Sequence, residues 1–245
     1  MQNGTNGHDD SNVEQQDSKV TPFPSRRQRE EKRRVLRIAN DMPNEPILNL
    51  PPTVQYLCAA LVAVFVVCQV VPDDVANQIV LFGGFIPARY TGGLPFDAAA
   101  YLSPVLHMFL HGGWLHIGLN IAMLMAFGAG IEKAIGGKKL LLLCLLSGLV
   151  GALTHGAFFP HLETPMIGAS GAVSGLFGAI MMLMQENGAM GQGYRRLIPF
   201  VIVWILISVV FGYVGVPGND NPIAWTTHVG GFLCGLLLYR PIQRL

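Results

Sequence analysis

Six long apolar stretches dominate this chain, at 53–71, 113–131, 139–159, 168–185, 197–216 and 223–239. Crossing the hydrocarbon core of a bilayer takes about 17–25 mostly apolar residues, so the pattern predicts six membrane-spanning helices. The connection from 72 to 112 is unusually long, and it is apolar without being continuous. Its segments 79–86 and 101–110 are too short to span, and they are expected to lie in or on the membrane interface. The first twenty residues are rich in Asn, Asp, Gln, Ser and Gly and have no apolar period, which is the pattern of a disordered segment. The fold expected is an all-α polytopic membrane protein. It comprises a disordered, basic tail over 1–50, a six-helix membrane domain over 53–240 and a short end at 241–245.

Composition supports this. The chain is 51% hydrophobic and 13% charged, where soluble domains carry about 25% charged residues. Charge then sets the orientation. The tail holds eight Lys+Arg, the loop after the second stretch Lys133, Lys138 and Lys139, the loop after the fourth Arg195 and Arg196, and the carboxyl end Arg240 and Arg244. All of these fall on one side of the membrane, and only Arg89 falls on the other. The positive-inside tendency therefore predicts cytoplasmic termini and an outward-facing 72–112 connection, as for a multi-pass protein of the bacterial inner membrane.

The basic run Arg26-Arg27-Gln28-Arg29 and Lys32-Arg33-Arg34 lies ahead of the first stretch. It reads as an anchor at the lipid surface, with no nucleic-acid partner. No apolar segment precedes it, so no signal peptide is expected. Cys58, Cys68, Cys144 and Cys234 all sit in apolar stretches without ligand spacing.

Orientation converts position into depth. At a helical rise of about 1.5 Å per residue, Ser170 lies about 22 Å above the cytoplasmic edge, His228 about 18 Å, Asn120 about 18 Å and His116 about 24 Å. Four polar residues on three different stretches thus share one layer in the outer half of the membrane. A serine hydroxyl becomes a nucleophile when a base takes its proton, and histidine is the side chain best matched to that task at neutral pH. Ser170 sits in Gly168-Ala169-Ser170-Gly171 at a helix start, where unpaired backbone N–H groups can stabilise an oxyanion. His116 and Asn120, four apart, project from one face and can add donors. No Asp or Glu occurs in the fifth or sixth stretch, so a Ser–His dyad is expected in place of a triad.

These residues carry a resemblance. Gly168-Ala169-Ser170-Gly171, His228-Val229-Gly230-Gly231, and His111-Gly112-Gly113-Trp114-Leu115-His116 followed by Asn120 resemble the rhomboid family of intramembrane serine proteases. Gly128-x-x-x-Glu132-x-x-x-Gly136 looks like a further rhomboid feature. The resemblance implies a six-helix bundle without a cofactor, Ser170 as nucleophile and His228 as base. It also implies His116 and Asn120 as oxyanion-stabilising side chains, and membrane proteins with a transmembrane helix as substrates. Three departures stand out. Ser174 occupies a position where an aromatic that stacks on the catalytic histidine is common. Ala224 and Thr227 stand where Gly and Ala are common. The Trp-Arg pair of many outer loops has no counterpart near Tyr101-Leu102.

Other readings weigh less. Gly171, Gly175 and Ala179 form a small-residue row that close helix packing alone explains. His107 and His111, four apart, could share a metal, but a metalloprotease would place a Glu beside the first histidine and supply a third ligand. No metal is expected, and His111 is expected to shape the outer loop. His155 and His161 read as ordinary polar residues at a span end, and Asp73, Asp74, Asp97, Glu163 and Asp220 as solvated loop carboxylates. Glu132 reads as a staple between backbone groups. A non-catalytic rhomboid-like escort of membrane proteins is the rival, although such proteins usually lack the serine or the histidine. A transporter with a histidine proton relay would carry inverted repeats, and none is evident.

Overall fold

The computed structural model describes residues 25–41, 50–189, 191, 193–214 and 224–245. Segments 1–24 and 42–49 of the tail, and Asp220, lie outside the described residues. The chain divides into two units, Met1–Asn49 and Leu50–Leu245.

In the first unit the basic run is helical, as α1 (Arg26–Asp41). Its start is a capping box. The Ser25 N–H donates to Gln28 Oε1 at 2.8 Å, and the Gln28 N–H donates to Ser25 Oγ at 3.3 Å. A Ser-x-x-Gln signature at 25–28 thus gives local structure to part of the segment expected to be disordered.

In the second unit the described residues form helices plus one isolated antiparallel bridge, Phe85 with Met166. Helix α2 (Pro52–Val70) opens on a proline, whose missing N–H costs nothing in a first turn. Two short helices follow within the long connection, α3 (Asp73–Gly83) and α4 (Ala98–Leu106). Asp97 does more than meet water: its carboxylate caps α4 by accepting the Ala99 and Ala100 N–H groups at 3.0 and 3.3 Å. Helix α5 (Trp114–Met123) passes through one π-helical turn, Leu124–Gly128, into α6 (Ala129–Ile135). The remaining helices are α7 (Gly137–Phe158), α8 (Ser170–Glu186), α9 (Ile198–Val214) and α10 (Trp225–Gln243).

Among the described residues three helices are long and apolar enough to cross a membrane: Pro52–Val70, the combined Trp114–Ile135, and Gly137–Phe158. Helices α8 and α9 have 17 residues each, about 25 Å at the helical rise, shorter than a hydrocarbon core of about 30 Å. Helix α10 has 19 residues, but Thr226, Thr227, His228 and Arg240 dilute its apolar character.

The core is built on α8, which is buried along most of its length between α7 and α10. Leu140, Leu143, Leu176, Phe232 and Tyr239 fill it. Helix α9 stands at the rim, with Trp204 on Phe177 and Phe232, and its residues Ile198, Phe200, Ile202, Val203, Leu206 and Val210 are exposed. At the end of the bundle away from Ser170, polar ties hold the helix ends. The Arg240 guanidinium pairs with Glu186 at 2.8 Å, and Lys139 Nζ donates to the Gln243 carbonyl at 2.8 Å. The buried Glu132 carboxylate accepts the Thr53 N–H at 3.0 Å and the Val54 N–H at 2.9 Å. It thereby staples α6 to the start of α2, where helix donors have no internal partner.

This staple sets a prediction. Glu132→Ala leaves two backbone donors unpaired and is expected to destabilise the protein by about 1–3 kcal/mol. Glu132→Gln, which keeps one acceptor, is expected to lose less. Denaturant unfolding in detergent micelles measures both, and an unchanged midpoint for Glu132→Ala would deny the staple any weight.

Candidate active site

The chain reaches Ser170 through an extended segment that the long connection pins from both sides. Phe85 and Met166 exchange backbone hydrogen bonds of 2.9 Å each, and the Gly168 N–H donates to the His107 carbonyl at 2.8 Å. The connection itself is folded around Tyr90, whose hydroxyl donates to the Ala100 carbonyl at 2.5 Å. Helix α8 then begins at Ser170, so the N–H groups of its first turn point away from the helix without internal partners.

Gly168 is required twice over. Its φ of +125° lies where side chains are rarely tolerated. A methyl group there would also come within 2.6 Å of His116 Nε2. The Ser170 Oγ lies 3.8 Å from the same point. The half-buried His116 ring and the Ser170 hydroxyl therefore flank one glycine. His116 Nδ1 accepts the Gly112 N–H at 3.5 Å, and the ring stands edge-on to His111, with centroids 5.0 Å apart. The buried Asn120 donates its amide to the His116 carbonyl, one turn back on α5, at 3.0 Å.

His228 projects from the first turn of α10. Helices α8 and α10 meet backbone to backbone. A methyl group at Gly231 would strike the Gly171 carbonyl oxygen, one at Gly235 the Gly175 carbonyl oxygen, and one at Gly178 the Phe232 carbonyl oxygen. Only glycine permits such an approach. Thr227 fits its methyl between Gly151 and Gly171 and donates its hydroxyl to Met166 Sδ at 2.8 Å. Among the described residues no hydrogen bond joins Ser170 to His228; catalytic hydrogen bonds are often long until substrate binds. Ser174 is buried one turn below Ser170.

His155 corrects the sequence reading. It is 4% exposed, not an ordinary interfacial residue, and its Nδ1 shares a 2.9 Å hydrogen bond with the Thr226 hydroxyl. Its spacing from Gly148 and Gly151 puts it on the α7 face turned to α8 and α10, the signal that could have found it. His161 is exposed. His107 and His111 do not share a helical face, because the helix ends at Leu106 and the chain is extended at Leu110. His107 bonds instead to the Ser103 carbonyl at 3.0 Å. Among the described residues no three His, Cys, Asp or Glu side chains are grouped to hold a metal.

A family model for the Rhomboid domain matches residues 99–244. The chain belongs to the rhomboid family. The Rhomboid-type serine protease 2 of Emericella nidulans is 31% identical over 70% of this chain and 33% of its own length. RHOMBOID-like protein 5 of Arabidopsis thaliana is 32% identical over 54% of this chain and 40% of its own length. The Rhomboid protease GlpG of Serratia proteamaculans is 30% identical over 74% of this chain and 59% of its own length. The matches thus span between a third and three fifths of these relatives' own length. Together with its apolar helices, family membership makes this rhomboid a multi-pass integral membrane protein with relatives named as proteases.

Gly168 supplies the test of this geometry. Gly168→Ala combines a disfavoured φ with a clash on His116 and is expected to cost about 1–3 kcal/mol. Gly113→Ala, where the backbone is extended and nothing lies within 4 Å, is expected to be near neutral. Thermal unfolding in micelles compares them; equal midpoints would mean that His116 does not pack on Gly168 as described.

Proposed function

We propose that this rhomboid is an intramembrane serine endopeptidase that cuts transmembrane segments of other membrane proteins. The observation that carries the reading is the start of α8. It holds a serine hydroxyl at a free helix N-terminus, beside the His116 ring, with α10, the helix that carries His228, in backbone contact through Gly231.

Ser170 Oγ attacks the scissile carbonyl carbon as the His228 ring takes its proton. The resulting oxyanion is held by the Ser170 backbone N–H, His116 and Asn120. Collapse breaks the peptide bond, the imidazolium gives its proton to the leaving amine, and the acyl group remains on Ser170. Water, deprotonated in turn by His228, releases it. A substrate helix must unwind locally first, because its backbone is otherwise hydrogen-bonded within itself, so small or helix-breaking residues favour cleavage.

The proposed topology has six spans over 53–240, with α8, α9 and α10 as the fourth to sixth. Both termini are cytoplasmic, in a bacterium on the inner face of the inner membrane, and α3 and α4 lie in the outer interface. The 1–50 tail is a separate cytoplasmic region. Support comes from the asymmetry of Lys and Arg.

Cleavage of a fluorescent transmembrane substrate by the reconstituted protein tests the mechanism. Ser170→Ala and His228→Ala are expected to abolish turnover. Asn120→Ala is expected to lower it by roughly tenfold to a thousandfold without unfolding the protein. Cleavage that survives Ser170→Ala would overturn the nucleophile. Absence of wild-type cleavage across varied substrates, with client binding intact, would favour the escort reading. Single-cysteine labelling tests orientation, and modification of the tail from outside would reverse it.

A further inference from the structure

A glycine contact brings two backbones together, but it has no interlocking side chains to fix rotation about the helix axis. Helix α10 meets α8 through Gly231 and Gly235, and the reacting side chain sits one turn above that smooth surface. Elsewhere a carboxylate or a stacked aromatic could orient the histidine. Here no carboxylate lies on α10, Ser174 fills the position where an aromatic is common, and among the described residues no hydrogen bond reaches the His228 ring. Something else must hold the ring in place.

The two residues before His228 supply it. Successive helical residues point about 100° apart, so Thr226 and Thr227 face different neighbours. Thr226 is fully buried and shares its hydroxyl with His155 on α7. Thr227 is 2% exposed and bonds Met166 in the segment leading to Ser170. Two ties at different azimuths restrain both the rotation and the tilt of the first turn of α10. His155 is itself braced by Phe159, whose ring centroid lies 5.3 Å away.

We propose that His155 is a positioning residue: by holding the Thr226 hydroxyl it fixes the direction in which the first turn of α10 presents His228 to Ser170. This rests on the Ser170–His228 reading above. His155 touches no reacting atom in this scheme. It replaces, from behind the helix backbone, the support that a carboxylate or aromatic would give to the ring.

The test follows the rate at which an alkyl fluorophosphonate, which reacts only with an activated serine, labels Ser170 in the full-length protein. Thr226→Val keeps the shape and loses the hydroxyl; it is expected to label about tenfold more slowly, since a displacement near 1 Å can cost about a hundredfold. Thr226→Ser, which keeps the hydroxyl, is expected to stay near the wild-type rate. His155→Ala is expected to match Thr226→Val, the double variant to be no slower than either, and His155→Gln to recover part of the loss. With a peptide substrate the loss is expected in kcat, with KM unchanged. Wild-type labelling in Thr226→Val, equal slowing in Thr226→Ser, or losses that multiply in the double variant would each overturn the proposal. Should His155→Ala fail to fold, the Thr226 pair still decides it. A wild-type protein that the probe leaves unlabelled would instead overturn the dyad reading beneath it.

Discussion

The rest of this structure depends on the backbone contact between α8 and α10. Gly171 against Gly231, Gly175 against Gly235 and Gly178 against the Phe232 carbonyl leave no room for a single methyl group. In lipid there is little hydrophobic gain from pairing two apolar helices, so association relies on dispersion over a large, close contact. Glycine supplies that contact and gives up side-chain area to do so. Gly148 and Gly151 extend the same surface to α7, so three helices converge on one line of small residues. The serine and the histidine proposed to react both sit at one end of that line.

A surface this smooth explains the placement of the polar bonds. Within the bundle the described ties cluster at its two ends. Near Ser170 they are Thr226 with His155, Thr227 with Met166, and the backbone pairs of Phe85 and His107 with the segment leading to α8. At the other end they are Glu132 with Thr53 and Val54, Arg240 with Glu186, and Lys139 with Gln243. Small residues set the spacing in the middle and directional bonds set the register at the ends. Among its described residues, helix α9 packs on the bundle through an aromatic cluster around Trp204.

Local pattern made much of this legible. The limits of α2 and α7 fall within two residues of the expected spans, because Pro52 and Gly137 punctuate strongly apolar runs. The start of α8 at Ser170 follows from the glycines around it. The second span runs four residues beyond its expected end at 131. Gly128, Gly130 and Glu132 look like a terminus, yet the stop is Gly136, with φ of +83°. What could not be read was long-range. The pairing of Phe85 with Met166 joins segments 81 residues apart and leaves no period in either, and His155 gains its role only once α10 packs behind it. Ser174 and Thr227 looked like departures from the family pattern. In the structure Thr227 is a tie to the segment that leads to Ser170.

Asn120 presents an apparent conflict that magnitudes resolve. Its amide is engaged with the His116 carbonyl one turn back on α5, although the proposed reaction asks it to donate to an oxyanion. Releasing an intrahelical side-chain bond costs about 0.5–1.5 kcal/mol. A donor aimed at the oxyanion in a water-poor site contributes about 2.7–4 kcal/mol. The second term exceeds the first, so the resting bond does not disqualify the residue. It stores the amide in a satisfied state while the site is empty, on the same face of α5 as the His116 ring. The stabilisation then appears only as charge develops, which is where it lowers the barrier without tightening the grip on the ground state.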